Sequence, residues 1–363
     1  MTLAFFLAIL LVPSDTLSIG GVLFEQTRLT GGPGGSEMAM ADLDLDGHLD
    51  LLVVSSPQAT LAVFSGDGTG SFGDALSYPA GPNPTMVSAA DLDGDGLPDV
   101  IIANHEATFL TVLPGLGAQG FGPGVRHTIE VLPHPHWVMP VDADGDGLLD
   151  LVVDDRRAEA LLVLRGLGDG SFAKAETRIA VGGDPYLGFT SGDLNEDGFL
   201  DWVTPNPRSV GITLGRGGTQ HEPPSQWAVP FRPSAVALCD INGDGHLDLA
   251  AASGDASQDA QTSLGNGQGQ FGPGTRHRLG RGIKKLGVAD LNGDGFCDVL
   301  GLSWGGGAQA LVGGTGQVRP VALGLSGNPW GLAVGDLNGD GADDFAVSDG
   351  QTNVIHVFTS IRR

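Results

Sequence analysis

Residues 42–50 read DLDLDGHLD, and six further copies of this nine-residue pattern follow along the 363-residue chain. The copies begin at Asp91, Asp142, Asp193, Asp240, Asp290 and Asp336. The steps between successive starts are 49, 51, 51, 47, 50 and 46 residues. A near-constant period of this size is typical of a repeat architecture, so the loops define the fold before any other feature is considered.

Each loop lies between two short apolar runs that are typical of buried strands. Residues 85–90 (TMVSAA) precede the second loop, and residues 100–102 (VII) follow it. A third run such as residues 110–113 (LTVL) comes next, and a Phe-Gly pair such as Phe121-Gly122 introduces a fourth. Four strands in each repeat predict a propeller blade, so we expect an all-β, seven-bladed β-propeller with four-stranded blades.

The two ends of the chain are complementary. The last repeat supplies three runs, at residues 332–334, 345–347 and 354–358, and no fourth. Residues 22–28 (VLFEQTR) precede the first loop, and Phe24 matches the Phe that introduces a fourth run elsewhere. We therefore expect this N-terminal strand to complete the last blade and close the ring. A solenoid is the alternative, but it would need polar capping repeats and would leave an open edge.

The loops have the composition of a calcium site. Ca²⁺ takes roughly six to eight oxygen ligands, and side chains at positions 1, 3 and 5 of a tight loop can converge on one ion. Gly at position 6 of all seven loops allows the sharp turn. The backbone carbonyl of position 7 and the carboxylate of position 9 would complete the shell, which predicts up to seven Ca²⁺ ions, one in each blade.

The candidate metal-ligating residues at positions 1, 3, 5, 7 and 9 are Asp42, Asp44, Asp46, His48, Asp50, Asp91, Asp93, Asp95, Leu97, Asp99, Asp142, Asp144, Asp146, Leu148, Asp150, Asp193, Asn195, Asp197, Phe199, Asp201, Asp240, Asn242, Asp244, His246, Asp248, Asp290, Asn292, Asp294, Phe296, Asp298, Asp336, Asn338, Asp340, Ala342 and Asp344.

Two other interpretations of the loops are weaker. An EF-hand begins in the same way but needs Glu at position 12 and a helix on each side, and position 12 is acidic in none of the seven loops. A metal-free Asp-Gly hairpin turn is the second alternative. Positions 1, 3, 5 and 9 hold 24 Asp and four Asn, and so many carboxylates would repel one another strongly without cations.

The net charge of −25 originates in these loop positions. Outside them the chain has 19 acidic residues against 18 Lys and Arg, so the remainder is close to neutral. Binding to nucleic acid requires a basic surface that neutralises phosphates, and no basic stripe occurs. The sequence therefore argues against nucleic acid as a partner.

The seven D-x-[DN]-x-D-G-x-x-D loops and the Phe-Gly pairs resemble the FG-GAP (VCBS) repeat family, whose best-known members are the integrin α-subunit propellers. The resemblance covers about residues 22–363. It implies calcium in the loop between the first two strands of a blade and a ligand on the opposite face. Two features depart from the family: all seven repeats have a complete loop, and no Phe-Gly pair occurs near Glu222-Pro223 or Gly316-Gln317.

On the implied ligand face, one repeat position varies, whereas position 6 of every loop is Gly. The residue six positions before each loop ranges from Ser to Lys to Trp, so packing does not fix its identity. This row consists of Ser36, Thr85, His136, Leu187, Ser234, Lys284 and Trp330. We expect a shared ligand-binding surface, although aromatic residues packed at blade junctions or an idle solvent-facing rim are the alternatives. Its candidate residues are His136, Trp137, Tyr186, Arg232, Lys284 and Trp330.

Two classes of function fit these residues. The first is a secreted or surface-exposed, calcium-binding module for adhesion or binding, whose partner is a protein or a carbohydrate. The second is a propeller enzyme acting on polysaccharides, such as a lyase, which needs a Lys, Tyr, His or Arg base at the funnel mouth. Because no G-x-S-x-G or H-E-x-x-H motif occurs, we assign no catalytic residue and favour a monomeric, non-enzymatic binding module.

The N-terminal segment and the cysteines bear on location. Residues 3–12 (LAFFLAILLV) are too few to span a bilayer but are typical of a signal-peptide core, although no Lys or Arg precedes them. We expect a signal peptide in residues 1–18, one propeller domain over residues 19–363, no membrane span, and a secreted, cell-surface or periplasmic protein. Cys239 and Cys297 either pack as small buried residues or form a disulfide between neighbouring blades.

Overall fold

In the computed structural model, short strands and tight turns make up the chain. The structure describes residues 16–29, 37–105, 107–129, 135–174, 177–186, 188–255, 257, 259–304, 307–314, 318–325 and 327–362. Within these residues the one helical element is a 3-10 turn at Gly117–Gln119. Ser36 and Leu187 of the varying row, and most of the expected signal segment, lie outside the described residues.

In the part of the chain that the structure describes, the strands form seven antiparallel sheets, six with four strands and one with five. The first strands are β3 (Glu37–Ala41), β7 (Pro84–Ala90), β11 (Val138–Val141), β15 (Thr190–Gly192), β19 (Pro233–Cys239), β23 (Ile283–Ala289) and β27 (Pro329–Gly335). The second strands are β4 (Asp50–Ser55), β8 (Asp99–Asn104), β12 (Asp150–Asp155), β16 (Asp201–Asn206), β20 (Asp248–Ser253), β24 (Asp298–Ser303) and β28 (Asp344–Asp349).

The outer half of each blade consists of a third and a fourth strand. The third strands are β5 (Thr60–Phe64), β9 (Phe109–Leu113), β13 (Ala160–Leu164), β17 (Ser209–Thr213), β21 (Asp259–Ser263), β25 (Ala308–Val312) and β29 (Val354–Ile361). The fourth strands are β6 (Leu76–Pro79), β10 (Val125–Thr128), β14 (Thr177–Ala180), β18 (Ser225–Ala228), β22 (Thr275–Arg278), β26 (Arg319–Ala322) and, for the last blade, β2 (Val22–Leu29).

The blades form a closed ring, as the sequence predicts. First strands of most neighbouring blades contact one another, and β27 of the last blade contacts β3 of the first. Strand β2 pairs with β29 over seven residue pairs, from Leu23 opposite Ile361 to Leu29 opposite Ile355. Phe24 is fully buried and lies 5.7 Å, between ring centroids, from Phe345. The prediction that an N-terminal strand completes the last blade is confirmed.

A fifth strand in the last blade was not expected from the sequence. β1 (Thr16–Ile19) pairs with β2 through a two-residue turn at Gly20 and Gly21, whose φ angles of 58° and 96° favour glycine. Ile19 is fully buried in this sheet. The expected signal boundary at residue 18 therefore falls inside β1, while residues 1–15 lie outside the described residues and their role as a signal stays a prediction.

The hydrophobic core is divided among the junctions between blades. Seven apolar clusters occur in the described residues, and each is built from two neighbouring blades. All six residues of every second strand are buried, which agrees with the mostly apolar residues at the centres of these strands. Full burial of one large side chain stabilises by about 1.5–3 kcal/mol, so each junction contributes substantially to ring stability.

A disulfide joins two blades. Cys239 at the end of β19 bonds to Cys297 in the sixth loop, 58 residues further along the chain. The sequence left this pairing open, and the structure decides it in favour of the bridge. Among the described residues, no helix has the length and apolar character to cross a bilayer.

Candidate functional site

The nine-residue loops connect first to second strands on one face of the ring and share one backbone arrangement. In every loop the position-1 Asp accepts a hydrogen bond from the N–H of the position-6 Gly, at 2.9 Å from Gly96 to Asp91. The position-5 Asp accepts one from the N–H of position 7, at 2.8 Å from Leu97 to Asp95. Gly96 has a φ of 87°, so a side chain there would strain the turn.

Carboxylate oxygens gather at the tips of these loops. In the first three loops, one oxygen from each of positions 1, 3 and 5 lies within 4.8 Å of the others. In the other four loops position 3 is Asn, whose side-chain N–H donates to the position-5 Asp, as in Asn292 to Asp294 at 2.9 Å. Each side chain at positions 1, 3 and 5 carries an oxygen that can ligate a metal, and the tight turn brings these oxygens together. The residues therefore fit a hard cation such as Ca²⁺.

The position-9 Asp has a structural role that the sequence did not reveal. In the second loop Asp99 accepts one hydrogen bond from the N–H of Leu92 at 3.1 Å and one from the N–H of Gly115 at 2.8 Å. The same pair of bonds recurs in all seven blades, with Ser360 as the second donor in the last. This carboxylate therefore ties the loop to the end of the third strand or to the segment that follows it.

These position-9 carboxylates are buried at the start of the second strands. Burial raises the pKa of Asp298 to about 7, and that of Asp201 to about 6. Neighbouring loop carboxylates raise the pKa further, whereas the two backbone N–H donors lower it. Without a cation, the charged form is therefore poorly stabilised at this end of the loop.

The loops also connect neighbouring blades. In four loops the carbonyl of position 2 accepts a hydrogen bond from a turn of the next blade, as in Gly170 N–H to Leu92 at 3.3 Å and Gly269 N–H to Leu194 at 2.8 Å. Gly70 makes the equivalent bond to Leu337, across the junction between the first and last blades. A change in loop conformation therefore reaches the contacts that hold the ring together.

The opposite face is shaped by β-bulges at the starts of first strands. Register shifts leave Thr85, Ser234 and Lys284 out of the pairing with the second strand, and a longer shift does the same for Trp330. A bulge re-aims its side chain, and here it affects four members of the varying row. Thr85 and Ser234 hydrogen-bond to backbone carbonyls of the following blade, so these two members also serve packing.

A cavity of about 520 Å³ lies on this face. Its lining comes from six of the seven blades. The lining residues are Glu37, Ser56, Pro57, Asn83, Thr85, His105, His136, Trp137, Tyr186, Lys284, Lys285, Trp304, Asn328, Trp330 and Gly350. All come from connections between blades, from the starts of first strands or from turns after second strands, so the cavity lies opposite the Asp-rich loops.

Two neighbouring lysines give the cavity its charge. Lys285 Nζ donates to Glu37 Oε1, and both side chains are largely buried. Burial raises the pKa of Glu37, while Lys285 partly offsets that rise. Lys284 Nζ instead lies 4.6 Å from the ring centroid of Trp304 and 6.0 Å from that of Tyr186. Burial lowers the pKa of Lys284, and the positive charge of Arg232 lowers it further.

Aromatic rings and a histidine form the remaining wall. The ring centroids of Trp304 and Trp330 are 5.0 Å apart, and both side chains are exposed. The ring of His136 lies 5.3 Å from that of Tyr186, between centroids. Asp154, fully buried, accepts the backbone N–H of His136 at 2.8 Å, and its second oxygen lies 3.4 Å from His136 Nδ1. This carboxylate fixes the histidine at the cavity edge.

A family model for the FG-GAP-like repeat matches residues 42–102, 91–153, 142–204, 240–301 and 290–347. Each match begins at the first Asp of one loop and runs past the next loop, and together the matches span most of the chain. This chain belongs to the FG-GAP-like repeat family. No curated protein sequence matches this FG-GAP-like repeat protein.

Solved structures match this FG-GAP-like repeat protein over nearly its full length. A crystal structure of BBS1N in complex with ARL6DN, soaked with mercury, has a TM-score of 0.67 at 11% identity, covering 97% of this chain and 98% of that one. The lead-soaked form has a TM-score of 0.64 at 11% identity, with the same coverage.

A lectin from Agrocybe aegerita, described for its recognition of non-reducing terminal N-acetylglucosamine, has a TM-score of 0.55 at 19% identity. The match covers 94% of this chain and 87% of the lectin chain. At these identities the likeness establishes the fold of the FG-GAP-like repeat protein and nothing further.

The structure brings together most of the ligand-binding residues predicted for this FG-GAP-like repeat protein. Five of the six line the cavity, namely His136, Trp137, Tyr186, Lys284 and Trp330. Arg232 does not line it, although its positive charge lowers the pKa of Lys284. Sequence reasoning missed Glu37, which lies 248 residues from its partner Lys285. Only the repeat alignment, which puts Glu37 next to the row position Ser36, could have indicated it.

Proposed function

We propose that the protein is a calcium-stabilised, secreted or surface-exposed binding module that holds a protein or carbohydrate ligand in the central cavity. One observation carries this proposal: five residues predicted from the sequence, and drawn from four different blades, line a single cavity. Pockets that bind small groups are concave, rich in aromatic side chains and supplied with a few polar groups, and this cavity has all three properties.

Calcium is the cation that suits the opposite face. When bound, it would neutralise the loop carboxylates and cross-link positions 1, 3 and 5 of a loop. Asp91, Asp93 and Asp95 illustrate the set, since their oxygens already lie close together and the backbone N–H groups of the loop hold them there. Because the loops hydrogen-bond to adjacent blades, stabilising a loop also stabilises a blade junction.

An extracellular location agrees with the disulfide and would supply the calcium that we propose for the loops. A disulfide persists in oxidising compartments, and Cys239–Cys297 links two blades of this chain. Extracellular calcium modules bind the ion weakly, with a Kd on the order of 10⁻⁴–10⁻³ M, which suits a calcium-rich exterior. Adhesion to a surface or matrix is the role we propose within that setting.

The two solved neighbours illustrate both ligand classes. BBS1N was crystallised in complex with a protein, ARL6DN, and the Agrocybe aegerita lectin recognises a sugar. In this chain the paired Trp304 and Trp330 rings and the histidines suit either class of ligand.

A second candidate function is a lyase that acts on polysaccharides. The observation in its favour is the His136–Asp154 pair beside Tyr186, because a positioned imidazole or phenol can act as a general base. The charge pattern favours binding instead, since the acidic groups near the cavity are already engaged by Lys285 and by backbone N–H groups.

The test combines a glycan array with a panel of polysaccharides incubated in calcium. We expect retention of a defined glycan or protein ligand and no new absorbance from unsaturated sugar products. Appearance of that absorbance, and its loss in His136→Ala, would replace the binding module with the lyase. Retention of nothing on the array and in a panel of extracellular matrix proteins would contradict the binding module.

A further inference from the structure

The most unusual group in the cavity is Lys284. No carboxylate among the described residues forms an ion pair with it, whereas the adjacent Lys285 is paired with Glu37. Arg156, whose Cζ lies 4.2 Å from the ring centroid of Tyr186, is likewise paired, through two hydrogen bonds to Asp184. An ammonium has three N–H donors, and ring contacts alone do not satisfy them. The lining thus presents one half-buried cation with capacity for an anionic acceptor.

An aromatic wall stands directly beside this cation. Trp304, whose ring centroid is 4.6 Å from Lys284 Nζ, leans against Trp330 at an angle of 36°. The two side chains remain 48% and 38% exposed, although large aromatic residues usually bury their rings. Broad ring faces of this kind suit a flat, C–H-bearing surface. A ligand that uses both features carries a carboxylate on a ring-shaped body.

The polar groups around the wall suit hydroxyl groups. Asn83 Nδ2 and His105 Nδ1 lie 3.1 Å apart, and Asn328 projects from the connection before β27. Amides and imidazoles can each donate and accept hydrogen bonds, as sugar hydroxyls can. Among the described lining residues the one carboxylate is Glu37, and it is neutralised by Lys285, so no exposed acid opposes an anionic ligand.

The shape of the cavity selects a compact group. Six blades surround it, and its volume of about 520 Å³ lies in the lower half of the range for small-molecule sites. An extended peptide would instead need a long groove with a free strand edge. A cavity that is surrounded by blades in this way can accept the terminal group of a polymeric ligand.

We propose that the cavity binds a hexuronate residue at the end of an acidic polysaccharide, with the sugar carboxylate at Lys284 Nζ and the sugar ring against Trp304 and Trp330. This inference rests on the proposed binding function and narrows its ligand class. The negative loops lie on the other face, so they do not repel the sugar locally.

The experiment is a calorimetric titration of the full chain, in the presence of calcium, with three kinds of probe. The first is a tetrasaccharide of galacturonate, glucuronate or mannuronate, and the second is the same tetrasaccharide with every carboxyl reduced to an alcohol. The third is a short peptide with a free C-terminal carboxylate. The variants are Lys284→Gln and a matched control, Arg281→Gln, which removes a cation from the same connection outside the cavity lining.

We expect the wild type and Arg281→Gln to bind one uronate tetrasaccharide about tenfold or more tightly than its reduced form, because a charge-assisted hydrogen bond is lost on reduction. Lys284→Gln should bind both forms equally, with an unchanged calcium-dependent melting temperature that shows correct folding.

Equal binding of both sugar forms by the wild type, binding of the peptides alone, or an acid preference that survives Lys284→Gln would overturn the inference while leaving a binding module intact. Binding of no probe would overturn it too, and the glycan array would then decide the proposed function separately.

Discussion

The two faces of the ring follow opposite rules. On the loop face one arrangement recurs seven times. In each blade the N–H of the position-6 Gly donates to the position-1 Asp, and two backbone N–H groups donate to the position-9 Asp. On the cavity face the row residues that line the pocket, Thr85, His136, Lys284 and Trp330, all differ. Repetition therefore indicates positions that the fold requires, whereas we expect the row positions that vary and line the cavity to contact the proposed ligand.

The largest expected effect concerns the closed ring that both faces share. Deleting residues 1–29 removes β1 and β2, so β29 loses its seven-pair ladder and the buried Phe24 is lost. An exposed strand edge promotes aggregation, and we expect no cooperative unfolding transition by circular dichroism. Deleting residues 1–15 is the control and should leave melting unchanged.

An intermediate truncation sharpens this result. Deleting residues 1–20 removes β1 and the fully buried Ile19, which we expect to cost about 2–3 kcal/mol without opening the ring. Equal melting temperatures for the deletions to residues 15 and 29 would show that closure by the N-terminal strand is wrong.

The second effect separates the loop face from the cavity face. Excess chelator should lower the melting temperature on the order of 20 °C, since each weak site adds about 1.4 kcal/mol at tenfold excess of ion and seven sites add up. Added calcium should restore it. A melting curve that does not change with chelator would contradict calcium as a stabilising ligand.

A smaller effect distinguishes two roles within one loop. Asp99→Ala leaves the N–H groups of Leu92 and Gly115 without their acceptor, so it should cost about 2–4 kcal/mol even in excess chelator. Asp93→Ala is the matched control, and it should leave metal-free stability nearly unchanged while weakening the gain from calcium. Chemical unfolding with and without chelator measures both. Equal metal-free losses would remove the structural role that we assign to position 9.

Repetition explains why much of this structure could be predicted from the sequence. Seven loops fixed the blade number, and the strand at Val22–Leu29 was found because the last repeat lacks a fourth strand. β1 was missed because an apolar N-terminal run suggested a signal segment, although Gly20-Gly21 is itself a hairpin signal.

Long-range contacts could not be predicted in the same way. The Lys285–Glu37 pair, the Cys239–Cys297 bridge and the exclusion of Arg232 from the cavity depend on distances between blades, which a repeat pattern does not encode. The two backbone hydrogen bonds that the position-9 Asp accepts could not be predicted either, because Asp is equally suited to be a calcium ligand and a buried hydrogen-bond acceptor.

The central claim is that one face stabilises the fold and the other binds the ligand. Its most direct test is Trp330→Ala, titrated with the glycan that the wild type retains on the array, with calcium-dependent melting measured on the same preparation. Trp330 lines the cavity and is partly exposed, so its truncation should lower affinity at least about tenfold and leave the calcium-induced rise in melting temperature unchanged. Unchanged affinity, or loss of the calcium-induced rise, would contradict the claim.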